Sequence, residues 1–326
     1  MWITSSLDSI RTPTRAALGN FDGVHQGHCR VIEPILGAGP GYATVVTFHP
    51  HPQEFFSKQR RSLLTPIAEK AQVLAHLGVE QLVQLPFTAD LAVMSPEAFV
   101  KQILVNGLRA SRVSVGQDFC FGYRRSGTAV DLVQLAATFG IAVDCVPLHT
   151  QGSDRISSSQ IRHALQHGQV SLANQLLGRA YTLCGTVMPG QQLGRTLGFP
   201  TANLQLPPEK FLPKDGVYAV WVTGKDGEPL ESGISSLDLN KNRPLPGVMN
   251  IGMRPTVNGT QRTVEVHLLD WSGDLYHQPL TASLVAYLRG EQAFESLEAL
   301  KAQIQQDCDQ ARSLFSTSST PLPLGE

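Results

Sequence analysis

The stretch GNFDGVHQGH, residues 19–28, follows a short apolar run and joins two glycines and an acidic residue to a pair of histidines three apart. Its residues alone leave three readings open. His25 and His28 can be polar residues in the first turn of a helix. They can be half of a metal site completed by His49 and His51 of FHPHP, although Pro50 and Pro52 stiffen that second pair and no carboxylate grouping accompanies it. They can also grip phosphate. Gly19 and Gly23 let the backbone approach a nucleotide closely, a helix starting near His25 points unpaired N–H groups at an anion, and residues at i and i+3 share a face. Both imidazoles can then donate to phosphoryl oxygens, which suits displacement of pyrophosphate from an α-phosphate, where charge spreads and no covalent intermediate is required.

Around this stretch the first half of the chain alternates. Short β-type runs at 15–18, 43–48, 80–85, 112–115 and 141–146 are separated by helical segments. SPEAFVKQILVNG has Ser95 to cap, Pro96 at the first helical position and Gly107 to close, and TPIAEKAQVLAHLG repeats the device with Thr65, Pro66 and Gly78. Such alternation predicts an α/β, doubly wound parallel sheet with helices on both faces. Ligands of these folds bind at the carboxyl ends of the strands, where GNFDGVHQGH and FHPHP lie.

The pattern changes near residue 181. Glycine- and proline-punctuated β-type runs follow (YTLCGTVM, GVYAVWV, GVMNIG, TVEVHLLD, LTASLVAYLRG), which predict a small antiparallel barrel or sandwich. In TVEVHLL, Val264, Val266 and Leu268 share one face and Glu265 and His267 the other. A last helix is expected over 296–315, with Leu297, Leu300, Ile304 and Cys308 on one stripe. The polar segment 225–247 reads as an extended loop, and 318–326 as a disordered tail. The expected domains are 1–180, 181–317 and that tail.

Bulk properties narrow the function classes. A chain of 326 residues favours two domains, and 42% hydrophobic with 16% charged residues is ordinary for a globular protein. A net charge of −1 argues against a nucleic-acid binder. No apolar run reaches the roughly 20 residues of a membrane span, and the first 15 residues lack the apolar centre of a signal peptide. The five cysteines are scattered without a C-x-x-C, which reads as reduced thiols in a cytoplasmic protein.

In the second half, GRTLGFPTANL contains no P-loop and reads first as a turn-rich connection. Thr201 and Asn203 nevertheless flank one small residue on an extended segment and point two oxygen-bearing side chains the same way, a donor set suited to Mg²⁺. Glu265, by periodicity, reads as a solvent-facing strand residue.

GNFDGVHQGH resembles the H-x-G-H signature of nucleotidylyltransferases, in the G-x-F-D-G-x-H-x-G-H form of bacterial FMN adenylyltransferases. TFHPHP (47–52), VGQDFCFGYRRSG (115–127), ISSSQIR (156–162) and LLGRAY (176–181) follow in the family's order, with Tyr123 where a lysine is frequent. The later blocks (185–203, PKDGVYAV, GVMNIGMRPT, TVEVHLLD and 288–307) are similar to the riboflavin kinase module, a small β-barrel. The chain is thereby identified as resembling bacterial bifunctional riboflavin kinase/FMN adenylyltransferases, over nearly all its length.

That resemblance implies ATP-dependent phosphorylation of riboflavin by the second domain and adenylylation of FMN to FAD by the first. It implies His25 and His28 as catalytic residues, and Gly19, Asn20, Phe21, Asp22, Gly27, Ser157, Ser158, Ser159 and Arg162 as the ATP site of the adenylyltransferase. His49, Pro50, Asp118 and Phe119 are the expected flavin or nucleotide contacts there. In the kinase it implies Glu265 as general base, Gly185, Gly190, Gly194, Arg195, Gly198, Pro200 and Asn203 around ATP, Thr201 and Asn203 on Mg²⁺, and Arg289 and Phe294 by the flavin. The expected partners are ATP, riboflavin and FMN, with no nucleic acid and no membrane, and a homo-oligomer is compatible with this reading. The rivals are a monofunctional FMN adenylyltransferase with a non-catalytic flavin-binding barrel, a non-catalytic flavin-binding or regulatory protein, and a metallohydrolase.

Overall fold

A computed structural model of the chain describes residues 1–317 apart from 38, 152–153, 191–192, 225–226, 231–233, 236–243 and 257–258. It divides into two compact units, the first ending at Ser158 and the second beginning at Ser159.

The first unit is built on six parallel strands: β1 (Trp2–Thr4), β2 (Thr14–Leu18), β3 (Tyr42–His49), β4 (Gln81–Pro86), β5 (Ala110–Gly116) and β6 (Ala142–Val146). Their order is β1-β4-β3-β2-β5-β6. Every residue of β2 is buried, as a central strand covered on both faces requires. The chain proceeds from β2 to β3 and β4 on one side and reaches β5 on the other, so the strand order reverses at β2. The crevice outside the carboxyl ends at such a reversal is where doubly wound sheets bind ligands. Segment 19–28 leaves β2 there, and α1 (Gln26–Ile32) follows.

The remaining helices are α2 (Pro52–Ser57), α3 (Ile67–His76), α4 (Pro96–Phe99, continued with π-type winding over Val100–Gly107) and α5 (Ala129–Ala137). Ser95 caps α4 by accepting from Ala98 N at 3.2 Å, with Pro96 at the first position, as the sequence predicts. The apolar side of α4 (Phe99, Val100, Ile103, Leu104) packs with Val113, Val115 and Leu132 in one core.

The structure adds one strand to those expected and corrects one cap. Trp2–Thr4 forms an edge strand parallel to β4, too short and too exposed to reveal alternation. Thr65 does not cap α3: Pro66 occupies the cap position with no side-chain bond, and Thr65 is engaged by segment 19–28 instead.

The second unit contains α6, which runs over Ser158–Gln166 from the unit boundary, then α7 (Val170–Leu177) and a closed barrel. The barrel strands are β7 (Thr182–Met188), β8 (Ala202–Gln205), β9 (Gly216–Thr223), β10 (Leu245–Thr256), β11 (Gly259–Leu268) and β12 (Pro279–Arg289), in the order β7-β8-β11-β10-β9-β12. Of the two architectures compatible with the sequence, barrel and sandwich, it is the barrel. Val264, Val266 and Leu268 are buried, whereas Glu265 and His267 face the other way and are only half-buried. Helix α8 (Leu193–Leu197) lies between β7 and β8, and helix α9 (Leu297–Thr317) follows β12, with Ser296 Oγ accepting from Ala299 N. Its buried stripe is Ile304, Cys308 and Ala311 against Val217, Ala219 and Val248. Leu297, expected on that stripe, is 56% exposed because packing starts later along the helix. Most of the 225–247 loop and the 318–326 tail lie outside the described residues.

The units part at Ser158/Ser159 rather than at 180/181, because helices α6 and α7 are bonded to the barrel. The Leu165 carbonyl accepts from Lys214 N at 3.0 Å. Asn174 bridges α7 to the barrel, donating to Leu284 O and accepting from Tyr181 N, both at 2.8 Å. Losing these partners leaves buried groups unpaired, at about 1–3 kcal/mol each. A fragment starting at residue 181 should therefore melt at least about 5 °C below one starting at 159. Calorimetry of the two fragments checks this, and equal melting temperatures would show that α6 and α7 add no stability.

Candidate functional sites

Segment 19–28 turns sharply because three residues in it are left-handed: Phe21 at φ 48°, Gly23 at 88° and Val24 at 41°. The conformation is natural for glycine but costs about 1–3 kcal/mol at each of the other two. It persists because Phe21 and Val24 are buried, at 1% and 0% exposure, and because neighbours hold the backbone between them. Gly19 N continues the sheet by donating to Val46 O. The Asn20 carbonyl accepts from Thr47 Oγ1 at 3.0 Å and from Lys70 Nζ at 2.7 Å. Asp22, itself buried, accepts from Thr65 N on its carboxylate at 3.2 Å and from Ser158 Oγ on its carbonyl at 2.8 Å. Gly23 N donates to Thr65 Oγ1 at 2.9 Å.

Beyond this turn His25 caps α1, its Nδ1 accepting from His28 N at 3.2 Å. Nδ1 is thus an acceptor, which leaves Nε2 as the N–H of the neutral ring. The His25 and His28 rings stack at 3.6 Å, and Phe21 meets His28 edge-on at 5.3 Å. Gly27 lies against the His25 ring, where a Cβ would sit 3.2 Å from its atoms. The helix-start reading thus holds for His25, which caps α1 through Nδ1 and stacks its ring on that of His28. Among the described residues no three or more His, Cys, Asp or Glu side chains gather as a metal-holding group, so His49 and His51 do not complete one with this pair.

The other predicted residues are placed as follows. His49 ends β3, exposed, and is joined by a cis peptide to Pro50. His51 caps α2, and burial, with Arg61 beside it, pushes its imidazole down to about 4. Asp118, after β5, pairs with Arg155 at 2.6 Å, and Phe119 stacks on Phe121 at 5.8 Å. Ser157 and Ser158 end the first unit. Ser159 and Arg162 lie in the second, where the Arg162 guanidinium is 5.7 Å over the Phe211 ring.

On the barrel, strand register groups the second set. Asn203 of β8 stands opposite Glu265 of β11, which stands opposite Asn250 of β10. Paired residues share a face, so these three side chains lie together on the side opposite the buried valines. Thr201 Oγ1 donates to Glu265 Oε2 at 3.3 Å. A Cβ at Gly190 would overlap the Asn203 amide, so glycine is required for that approach. Gly194 O accepts from Phe199 N at 2.8 Å, closing the turn that delivers Gly198 and Pro200. Gly185 sits on β7, and the side chain of Arg195 lies outside the described residues. His267 donates from Nδ1 to Pro200 O at 2.8 Å, and burial lowers its pKa. Gly198, Pro200 and His267 also line a cleft of about 460 Å³ with Trp271 and Arg312. The hydroxyl and amide oxygens of Thr201 and Asn203 are hard donors at neighbouring positions, and they fit Mg²⁺.

Arg289 makes a bidentate pair with the buried Asp307 (2.9 and 2.7 Å) and lies 5.8 Å over the Phe294 ring. The pair joins β12 to α9, so the structure brings Arg289 and Phe294 together and commits the guanidinium to the helix. Sequence reasoning missed Thr47, Thr65 and Lys70 as supports of segment 19–28. For Lys70 a signal existed: it occupies the i position of an i, i+3, i+4 set with Val73 and Leu74, all buried.

Comparisons with known proteins match both halves of the chain. The family model described as FAD synthetase matches residues 8–160, and the one described as riboflavin kinase matches 177–315. The bifunctional riboflavin kinase/FMN adenylyltransferase of Escherichia coli (strain K12) is 38% identical over 302 residues, 91% of each chain. That of Pseudomonas fluorescens is 38% identical over 327 residues, 98% of this chain and 99% of the relative. Among solved structures, that of a macrolide-efflux protein from Streptococcus pneumoniae superposes with a TM-score of 0.79 at 26% identity, covering 95% of this chain and 98% of its own. Among the described residues no helix is long and apolar enough to cross a membrane.

The Thr65 contacts make a direct test of how segment 19–28 is held. Thr65→Val keeps the branched shape but removes the acceptor of the buried Gly23 N–H, and should cost about 1–3 kcal/mol in the stability of the first unit. Chemical denaturation followed by a probe in that unit measures it, and a change within a few tenths of a kcal/mol would show that Gly23 is held otherwise.

Proposed function

Because the chain belongs to the family of bifunctional riboflavin kinases/FMN adenylyltransferases, we propose that segment 19–28 is its adenylyl-transfer site and the Glu265 face of the barrel its phosphoryl-transfer site. The enzyme phosphorylates riboflavin with ATP to give FMN, and joins FMN to the adenylyl group of a second ATP to give FAD and pyrophosphate. The observation that carries this reading is similarity along the full length of bifunctional relatives, with both family regions present in one chain. The monofunctional alternative would leave the pairing of Thr201 with Glu265 without a purpose.

In the adenylyltransferase an oxygen of the FMN phosphate attacks the α-phosphorus of ATP, and the bond to the bridging oxygen of pyrophosphate breaks. Nε2–H of His25 and the His28 ring donate to the oxygens where negative charge accumulates. The backbone of Gly19, Asn20, Phe21, Asp22 and Gly27 shapes the nucleotide pocket. Ser157, Ser158, Ser159 and Arg162 are assigned to the triphosphate, and His49, Pro50, Asp118 and Phe119 to the flavin or nucleotide. By function this domain extends to residue 180 and the kinase covers 181–317, although α6 and α7 pack with the barrel.

In the kinase Glu265 takes the proton from the ribityl 5′-hydroxyl as that oxygen attacks the γ-phosphorus and ADP departs. Thr201 orients the carboxylate by hydrogen bonding, and Asn203 lies beside it. Thr201 and Asn203 are the residues that would hold Mg²⁺, which would supply neutralisation of phosphate charge. Gly185, Gly190, Gly194, Arg195, Gly198 and Pro200 surround ATP, and Arg289 and Phe294 border the flavin. The partners are small molecules rather than nucleic acid, and the compartment is the cytoplasm, with which free cysteines agree.

Two substitutions test the division. His28→Ala should lower FAD formation by roughly 10²–10³-fold while FMN formation continues. Chromatography of products from riboflavin, ATP and Mg²⁺ reads both, and joint loss would make His28 structural. Glu265→Gln keeps shape but removes the base, so FMN formation should fall roughly 10²–10⁴-fold with FAD formation from supplied FMN nearly untouched. A folded Gln variant with full kinase activity would remove Glu265 from the mechanism.

A further inference from the structure

We propose that Lys70 is a positioning residue for adenylyl transfer: its buried ammonium, bonded to the Asn20 carbonyl, fixes the course of the segment that carries Asp22, His25 and His28. The proposal rests on the assignment of that segment as the adenylyl-transfer site.

Lys70 is a costly residue where it stands. It is 6% exposed on the inner side of α3, between the apolar stripe of that helix and segment 19–28. Enclosing an ammonium without a full counter-ion is strongly unfavourable, and an apolar chain of the same length would fill the space without that penalty. The ammonium donates to the Asn20 carbonyl at 2.7 Å. That carbonyl also takes Thr47 Oγ1, so both of its lone pairs are used. It belongs to the peptide that enters Phe21, the first left-handed residue of the turn. Five residues earlier in the same segment, Thr65 binds Asp22 through its N–H and Gly23 through its hydroxyl. Residues 65 and 70 thus grip the turn from two points, before and after the strained Phe21.

Charge gives Lys70 a second reason to be a cation. Asp22 is 6% exposed, and its field favours the protonated amine. Burial, only partly offset by Asp22, pulls the Lys70 pKa down to about 8. The charge is therefore present below about 8 and lost as pH rises through it. The titratable groups facing Lys70 are Asp22 from the segment and His51 from the entry to α2, with Glu69 buried beside it on α3. Arg61 and Glu54 act on His51 in turn, and His51, at about 4, is already neutral throughout the alkaline range.

The test is Lys70→Met in the full-length enzyme, with FAD formation from FMN and FMN formation from riboflavin measured on the same sample from pH 6.5 to 9.5. A displaced turn should lower kcat for FAD formation by about 10²-fold at pH 7 with a smaller change in KM for FMN, while the kinase is unaffected. In the wild type the ratio of FAD to FMN formation should fall through an apparent pKa near 8, and the Met variant should lack that fall. Should the Met variant not fold, Lys70→Arg, whose charge persists across this range, takes its place and should lack the fall. A ratio flat across pH 7–9.5 overturns the proposal, as does a folded Met variant with wild-type kcat and pH profile. His28→Ala measured alongside separates the two readings. Activity kept in that variant overturns the site assignment, whereas activity kept only in Lys70→Met overturns the role of Lys70.

Discussion

The carbonyl of Asn20 is the point on which the first unit's site depends. It stands where an ordered strand gives way to a turn that no regular structure supports, and all that follows inherits its direction. Two donors from two different elements, Thr47 on β3 and Lys70 on α3, converge on that one oxygen. Left-handed Phe21 and Val24 would relax to commoner conformations if the turn were free, and burial of both side chains together with the Thr65 and Ser158 contacts prevents it. The two histidines need no precise placement of their own. Once the turn is set, His25 reaches the cap of α1 and His28 stacks on it within one helical turn.

On the barrel the equivalent constraint is strand register. Glu265 shares a face with Asn203 and Asn250 only because β8, β11 and β10 are aligned as they are. A slip of one residue in β11 would turn Glu265 into the core and bring Val264 or Val266 to the surface. The buried valines therefore specify the position of the carboxylate as strictly as any contact it makes itself. The closed order of six strands adds to this, since closure leaves no free edge along which register can drift.

How much of this was legible followed from the range of the interactions. Strand–helix alternation exposed five of the six parallel strands, and the two-residue period of TVEVHLL gave both faces of β11, because these patterns are local and repeated. Trp2–Thr4 stayed hidden, being three residues long with no period to read. Thr65 looked like a helix cap because Thr-Pro commonly is one, and its actual partners are more than 40 residues away in Asp22 and Gly23. The boundary near 180 was drawn where composition changes, whereas compactness follows hydrogen bonds such as that of Asn174 to Leu284, 110 residues apart. In the same way the bidentate bond of Arg289 to Asp307 emerges only once α9 returns to β12.

The two proposed sites would meet phosphate with opposite kinds of side chain, and the nucleophiles explain why. A ribityl hydroxyl holds its proton at neutral pH and becomes a strong nucleophile only as a base removes it, so a carboxylate is an asset at the barrel site, where Thr201 orients it. The phosphate of FMN has its second pKa at about 6 and arrives already ionised. It needs no base, and an exposed carboxylate beside it would repel both nucleophile and triphosphate. The one acid within segment 19–28, Asp22, is accordingly buried and bonded to Thr65, while imidazoles begin the helix. The buried ammonium that folding alone would disfavour holds the turn at Asn20, and the field of that acid favours its charge.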